Sequence, residues 1–326
     1  VIALTAELRR FPLKAPFRIA SAEFDATETL IVTATDGRHR GHGEAEGVFY
    51  RGETAKGLLA QARAFIGGHP GGISREALQS ALPPGGARNA IDCALWDLEA
   101  KRTGRSIWTL TDVVPRPLTT AVTIGLEAEP EAMAEKARAA GPVPVLKVKL
   151  NADRPVERIE AIRAVRPDAV LVVDVNEGWT IEQLRDVAPA MARLGVEMLE
   201  QPLPRGRDAE LDGYVSPVPL CADESCLHSG ELDAVRGRYQ RINIKLDKTG
   251  GLTEALRLAR MAREEGLGLM VGNMMGTSLA MAPSFVVGCL CDFVDIDGPV
   301  LLAQDWPNGL RYQAGRVDPP RPVLWG

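Results

Sequence analysis

Five charged residues recur at nearly equal steps along the second half of the chain: Lys149, Asp174, Glu200, Asp223 and Lys245. They stand 25, 26, 23 and 22 residues apart, and each closes a short run rich in Val, Leu and Ile. A step of that size is about one strand-plus-helix unit, so the pattern carries five polar side chains to the same end of five successive strands. Three carboxylates without a histidine or cysteine among them make a hard, all-oxygen site, suited to Mg²⁺ with Mn²⁺ as a substitute. One such acid alone reads equally well as a helix cap. Three in step are better explained by a shared site.

The lysines suggest what the metal is for. Lys147 and Lys149 share a strand face by the two-residue period. Neighbouring like charges disfavour the charged forms, so a neutral amine at Lys149 is expected to serve as a base. Lys245, in Asn-Ile-Lys-Leu-Asp-Lys, approaches from the opposite arc. A metal that takes up a carboxylate acidifies the adjacent C–H by stabilising the enediolate left when the proton departs. Two lysines on opposite sides then allow removal from one face and return to the other, which is the chemistry of a racemase or epimerase.

The elements that must position these residues are legible in the periodicity. Runs at Leu118 to Ile124, Val145 to Leu150, Val170 to Val175, Val196 to Glu200, Leu220 to Asp223, Ile242 to Leu246, Leu267 to Gly272 and Phe293 to Asp297 read as eight strands. Amphipathic stretches such as Val156 to Val165, Ile181 to Leu194 and Leu252 to Glu265 separate them. This alternation predicts an α/β fold with a closed (β/α)-barrel over 114–300. An open doubly wound sheet would carry a glycine-rich phosphate turn after its first strand, and none is present. Residues 1–113 mix alternating apolar residues around Leu30 to Ala34 with helical periodicity at Thr54 to Ile66 and Ala90 to Thr103, and read as an α+β capping domain. The proline-rich tail, 301–326, is expected to fold back on that domain.

Composition excludes several other functions. The net charge of -5 is spread without a basic stripe, against nucleic acid as a partner. No apolar run approaches the roughly 20 residues of a membrane helix, and the first residues lack the pattern of a signal peptide, so a cytoplasmic protein is expected. The five cysteines form no Cys-x-x-Cys pair and read as reduced thiols. The four histidines, His39, His42, His69 and His228, have no spacing for a zinc set or a histidine-based triad.

Taken together, Gly41-His42-Gly43-Glu44, Ala87 to Asp97, Leu146-Lys147-Val148-Lys149, Asp174-Val175-Asn176, Glu200-Gln201-Pro202, Ala222-Asp223-Glu224-Ser225, Asn243 to Gly251, Met270 to Met274 and Asp295-Ile296-Asp297-Gly298-Pro299 resemble the enolase superfamily. The likeness covers nearly the whole chain and lies within the muconate-lactonizing subgroup, with the dipeptide epimerases of the L-Ala-D/L-Glu type. The resemblance implies a modified, TIM-like (β/α)7β barrel under an N-terminal cap, with copies that associate. It implies Mg²⁺ on Asp174, Glu200 and Asp223, and Lys149 and Lys245 as the acid/base pair. It also implies that Asp295 and Asp297 accept the α-ammonium of a dipeptide, and that Lys147, Thr123 and Asn273 contact the substrate. Phe24 stands where relatives that act on L-Ala-D/L-Glu tend to carry an arginine, which points to a non-acidic second residue unless Arg18 or Arg51 compensates. N-acylamino-acid racemisation, o-succinylbenzoate synthesis and lactone cycloisomerisation are the alternatives on such a scaffold. None of them needs the Asp295 and Asp297 anchor. A His-Asp pair of the mandelate-racemase type is excluded, since no histidine follows His228.

Overall fold

The structure is a computed structural model that describes the backbone of residues 1–19 and 22–326, and the side chains of 1–16 and 25–326. The chain opens with an antiparallel sheet of β1 (Ala3–Ile19), β2 (Ala22–Thr35) and β3 (Arg40–Ala45). On it pack α1 (Ala55–Gly68), α2 (Arg75–Ala81) and α3 (Gly86–Thr103), followed by the short α4 (Ile107–Thr111). Alternation along β2 sends Leu30, Val32 and Ala34 into the core under these helices, while Ile31 joins the core of the barrel. The Gly-His-Gly motif has a steric reason. α3 lies so close on β3 that a Cβ at Gly41 or Gly43 would collide with the backbone of Ala94 or Ala90.

The second sheet has eight strands in chain order: β5 (Val122–Ile124), β6 (Val145–Lys149), β7 (Val170–Asp174), β8 (Val196–Glu200), β9 (Leu220–Ala222), β10 (Arg241–Ile244), β11 (Gly268–Val271) and β12 (Phe293–Val294). All neighbouring pairs are parallel. Crossovers run through α5 (Pro130–Ala139), α6 (Pro155–Val165), α7 (Ile181–Arg193), α8 (Leu232–Val235), α9 (Leu246–Thr249) with α10 (Leu252–Glu264), and α11 (Ser278–Gly288). After β8 only a 3₁₀ turn, Asp208–Leu211, replaces a helix. The ring closes through a backbone bond from Ala121 N–H to Val294 O, 2.7 Å. The architecture is the expected capped (β/α)7β barrel.

The expected first run, Leu118 to Ile124, is divided. β4 (Leu118–Thr119) leaves the barrel sheet and pairs with β14 (Arg316–Val317), which pairs with β13 (Tyr312–Gln313). Thr120 turns between the two pieces, its N–H held by Gly315 O and its hydroxyl accepting from Ile296 N. The tail also reaches the first sheet, where Ala303 N–H donates to Pro12 O, and α3, where Trp325 Nε1 donates to Cys93 O and Gly326 N to Asp97.

Inside the barrel the two-residue period stacks two layers. Val172, Met198, Cys221 and Met270 form a small apolar plug. Two residues onward from the first three stand Asp174 and Glu200, which end their strands, and Asp223, just past the end of β9, each fully buried. The cap is tied across the mouth by buried polar contacts: Arg88 donates to Gly250 O and Thr249 O, and Asp247 accepts from Gly47 N. Among the described residues no helix is long and apolar enough to cross a membrane.

Candidate active site

Lys149, Asp174 and Glu200 face one another in register across β6, β7 and β8. Asp223 follows β9 directly, and Lys245 follows β10 as the residue that opens α9. Lys149 Nζ donates to Asp174 Oδ2 at 2.7 Å and to Asn176 Oδ1 at 2.9 Å. Lys245 Nζ donates to Asp223 Oδ2 at 2.6 Å. All five residues of the expected ring therefore meet in one polar layer above the apolar plug. The cation beside them is Lys147, with its Nζ 3.1 Å from Asp174, 2.8 Å from Glu200 and 2.8 Å from Asp295. Repulsion between the two strand-mates does not govern Lys147. Burial pulls its ammonium down, but Asp295, Glu200 and Asp174 outweigh it and hold it well above the usual lysine range.

The acids divide by their surroundings. Burial alone would raise Asp174, yet Lys149 and Lys147 overcome it and keep the carboxyl at about 2. Asp223 is likewise lowered against burial by Lys245 and Lys248. Glu200 is raised, by burial first and then by Asp174, with Lys147 too little to offset them. Its Oε2 lies near Lys147 without the geometry of a hydrogen bond and has no such partner among the described residues. Among those residues no three carboxylate, histidine or cysteine side chains are already drawn into a closed metal cage. Ammonium groups lie against the oxygens instead. The donor set still fits a divalent cation: three buried carboxylates at the ends of adjacent strands, no soft ligand, and a buried Glu200 oxygen without a hydrogen-bond partner among the described residues.

Several residues that hold this layer have no role in the spacing argument. Lys248 is fully buried and donates to Asp223 Oδ1, Asp223 O, Asn243 O and Cys226 O at 2.7 to 3.0 Å. Asn243 Nδ2 donates to Glu200 Oε1 at 2.7 Å. Gln201 takes the amides of Asp223 and Ser225 on its Oε1, and its backbone sits in the left-handed region at φ 35°. That conformation is costly for a non-glycine residue and is held here by the side chain's own bonds. The signals for these residues were a polar residue inside an apolar strand at Asn243, and a lysine one turn beyond Lys245.

The cavity above the layer has two arms that share Lys149, Lys245, Asn273 and Met275. One arm reaches Lys147, Thr123, Asp295 and Asp297. β12 ends at Val294, so the two aspartates stand in the following loop, and Asp297 opens α12 (Gly298–Leu301). Asp297 Oδ2 accepts from Thr123 N at 2.9 Å, and burial, with Asp295 beside it, pushes its carboxyl up to about 7. Asp295 Oδ1 is buried without a partner among the described residues. Asn273 Nδ2 fixes this loop through Asp295 O at 2.6 Å. The other arm is lined by Glu46, Phe49, Tyr50, Asn176, Glu224 and Met274. The side chains of Phe24 and Arg18 lie outside the described residues. Arg51 lines a separate cavity, with Glu53 and His228.

Known proteins resemble this chain over nearly its whole length. Residues 3–111 match the mandelate racemase / muconate lactonizing enzyme N-terminal domain, and residues 130–322 match the enolase C-terminal domain-like family. The chain belongs to the mandelate racemase / muconate lactonizing enzyme family. It is 42% identical over 311 residues to the L-Ala-D/L-Glu epimerase of Escherichia coli K12, covering 94% of this chain and 96% of the relative. A solved enolase family member from Agrobacterium tumefaciens, with homology to dipeptide epimerases and with bound sodium and L-Ala-L-Glu, superposes at a TM-score of 0.96. It is 42% identical, and all of both chains is covered. A dipeptide epimerase from Methylococcus capsulatus, complexed with Mg and L-Arg-D-Lys, superposes at 0.91 with 31% identity, over 99% of each chain. Within the family, His-dependent variants are unavailable to this member, whose ring consists of lysines and carboxylates.

Proposed function

We propose that this member of the family is an Mg²⁺-dependent isomerase, a dipeptide epimerase acting on L-Ala-Xaa substrates at the α-carbon of the C-terminal residue. The observation that carries the reading is a single cavity lined by Lys149, Lys245, Asp295 and Asp297, with the two lysines bonded to the buried carboxylates Asp174 and Asp223 and Glu200 buried beside them. Asp174, Glu200 and Asp223 would hold Mg²⁺, which would supply positive charge against the substrate's terminal carboxylate and make the adjacent C–H more acidic.

Lys149 and Lys245 come from β6 and the end of β10, with three strands between them, so they address the α-carbon from opposite sides. One lysine as the free amine takes the α-proton, and the other as the ammonium returns one to the far face. In the reverse direction the two exchange roles. Asn176 orients Lys149, and Asp223 orients Lys245. At the other end the free Oδ1 of Asp295, with Asp297, receives the α-ammonium of the first residue. An N-acyl amino acid has no such ammonium and would leave that buried oxygen unpaired, which argues against the N-acylamino-acid reading. From the position of Phe24 we take the second residue to be non-acidic.

We take residues 1–113 with 301–326 as the cap and 114–300 as the catalytic barrel; the N-terminal family match, which ends at residue 111, supports the first boundary, and the tail's bonds to Pro12, Cys93 and Asp97 support its place with the cap. We also place the enzyme in the cytoplasm, consistent with five unpaired cysteines, and expect copies to associate as in the rest of the family. A dipeptide library incubated with the Mg²⁺-loaded enzyme in D₂O tests the function. One deuterium is expected in the C-terminal residue of at least one L-Ala-Xaa substrate. Exchange into N-acyl amino acids with none into dipeptides would overturn it.

A further inference from the structure

Asp223 stands just past the end of β9, where the strand ladder no longer holds it. Gln201 N still donates to Cys221 O at 2.9 Å, so a regular parallel ladder would next send the Asp223 N–H to Gln201 O. That carbonyl is turned away. With φ at 35°, Gln201 presents it to Glu177 N at 2.8 Å instead. The side chain of the same residue takes its place: Gln201 Oε1 receives Asp223 N at 2.9 Å and Ser225 N at 3.1 Å. The backbone of a candidate metal ligand is therefore held by a carboxamide rather than by the sheet, and a carboxamide can face either way.

What decides its direction lies on its other side. Gln201 Nε2 donates to Leu203 O at 2.8 Å, to Ser225 Oγ at 2.9 Å and to Tyr239 OH at 3.2 Å. Both hydroxyls in turn donate to one oxygen, Asp208 Oδ1, at 2.6 Å each. A carboxylate only accepts, so each hydroxyl gives its single hydrogen to Asp208 and turns a lone pair toward Gln201. Gln201 must then answer with its NH₂, which leaves Oε1 for the two amides. Reversed, its NH₂ would face two N–H groups and its oxygen would face Leu203 O and two lone pairs. Gln201, Ser225 and Tyr239 are all buried, where unmet donors and acceptors are costly. Burial, with Asp208 beside it, holds the Tyr239 hydroxyl well above the usual phenol range, so it remains a donor. Asp208 itself is half-buried and opens the 3₁₀ turn that replaces a helix after β8, with its Oδ2 accepting from Gly206 N at 3.1 Å.

We propose that Asp208 is a positioning residue for the metal site: through the hydroxyls of Tyr239 and Ser225 it fixes the facing of the Gln201 carboxamide, and through that the place of Asp223. It rests on the reading of Asp174, Glu200 and Asp223 as Mg²⁺ ligands. To that reading it adds a residue that lines neither arm of the cavity.

The test is Mn²⁺ titration of the full chain without substrate, read by electron paramagnetic resonance in the cold, below the Tm of each variant measured in EDTA. Asp208→Ala is expected to weaken Mn²⁺ binding about tenfold or more. Tyr239→Phe keeps the ring and leaves Ser225 to carry the relay, so a loss of about threefold is expected. The double variant should lose less than the product of the two, because both act through Gln201. Thr253→Val removes a hydroxyl between Asp92 and Trp96, away from the metal site, and is expected to lower Tm without changing Mn²⁺ affinity. Equal weakening in Thr253→Val would show general loosening and overturn the assignment. Wild-type affinity in Asp208→Ala overturns it and leaves the metal site standing, whereas a wild-type chain that takes up no Mn²⁺ overturns both. If Asp208→Ala does not fold, Tyr239→Phe decides alone, and unchanged affinity there overturns the proposal. Since no substrate is present, a failure of dipeptide exchange leaves the result intact.

Discussion

Replacing Lys248 with methionine tests whether the acid layer is held by buried charge. The ammonium is fully buried and gives one bond to the Asp223 carboxylate and three to backbone carbonyls. Methionine keeps most of the volume and supplies none of these bonds. Asp223 then keeps Lys245 alone, on its other oxygen. Breaking a buried ion pair from one side costs about 3–5 kcal/mol, since the remaining charge stays desolvated. With an unfolding entropy of about 2.1 cal/mol/K per residue, a loss of about 4 kcal/mol in a chain of this length lowers Tm by about 6 °C. Calorimetry with EDTA present isolates the effect from metal binding. Lys56→Met, at an exposed helical lysine, serves as the control and is expected to stay within about 0.5 kcal/mol. Titration with Mn²⁺, read by electron paramagnetic resonance, is expected to show at least roughly tenfold weaker binding in Lys248→Met, because Asp223 is no longer aimed. A stability loss below about 1 kcal/mol together with unchanged Mn²⁺ affinity would refute the reasoning.

The two-base arrangement predicts asymmetric lesions. Lys149→Ala should abolish α-proton exchange from one epimer and Lys245→Ala from the other, by at least about a hundredfold in D₂O, and symmetric loss in both would contradict the opposed placement. Asp223→Asn removes a ligand and leaves Lys245 and Lys248 facing a neutral group, so Mn²⁺ affinity should fall roughly tenfold or more, and unchanged affinity would remove Asp223 from the metal site. Asp297, at about 7, must be ionised to hold the substrate's ammonium, so kcat/KM should decline as pH drops below about 7, mainly through KM. The same shift has the opposite sign for stability. A carboxyl raised in the folded state contributes stability that is complete below the unfolded value near 3.8 and is lost as pH rises through about 7. Asp297→Asn should flatten both profiles, which paired pH-rate and thermal-melt series would show.

The parts of the site legible in the sequence were those that repeat with the fold. Asp174 and Glu200 end strands of equal length, so equal spacing became equal height in the barrel, and Lys149 fell into register with them. The cap's helices were likewise visible from their periodicity. The break at Thr120 was not, because Leu118 to Ile124 is uniformly β-prone and the interruption comes from partners 175 or more residues away in the chain, Ile296 and Gly315. Lys248 sits in a four-residue helix too short for any period to show which way it points. Asp295 and Asp297 were found by motif but placed on a strand that ends one residue before the first of them.

The acids around the strand-mate lysines also explain the site. Like charges two residues apart repel, but both lysines reach Asp174 Oδ2, and Lys147 is pinned among three carboxylates, Asp174, Glu200 and Asp295. Lys147 therefore links the acid layer to Asp295, so in the proposed reading the substrate's carboxylate end and its ammonium end would be held at a distance fixed by one buried ammonium group. A dipeptide, whose two charges are separated by one peptide unit, matches a site built to that spacing. Removing Lys147 should thus disturb both ends together, whereas a change at Asp297 should disturb the ammonium end alone.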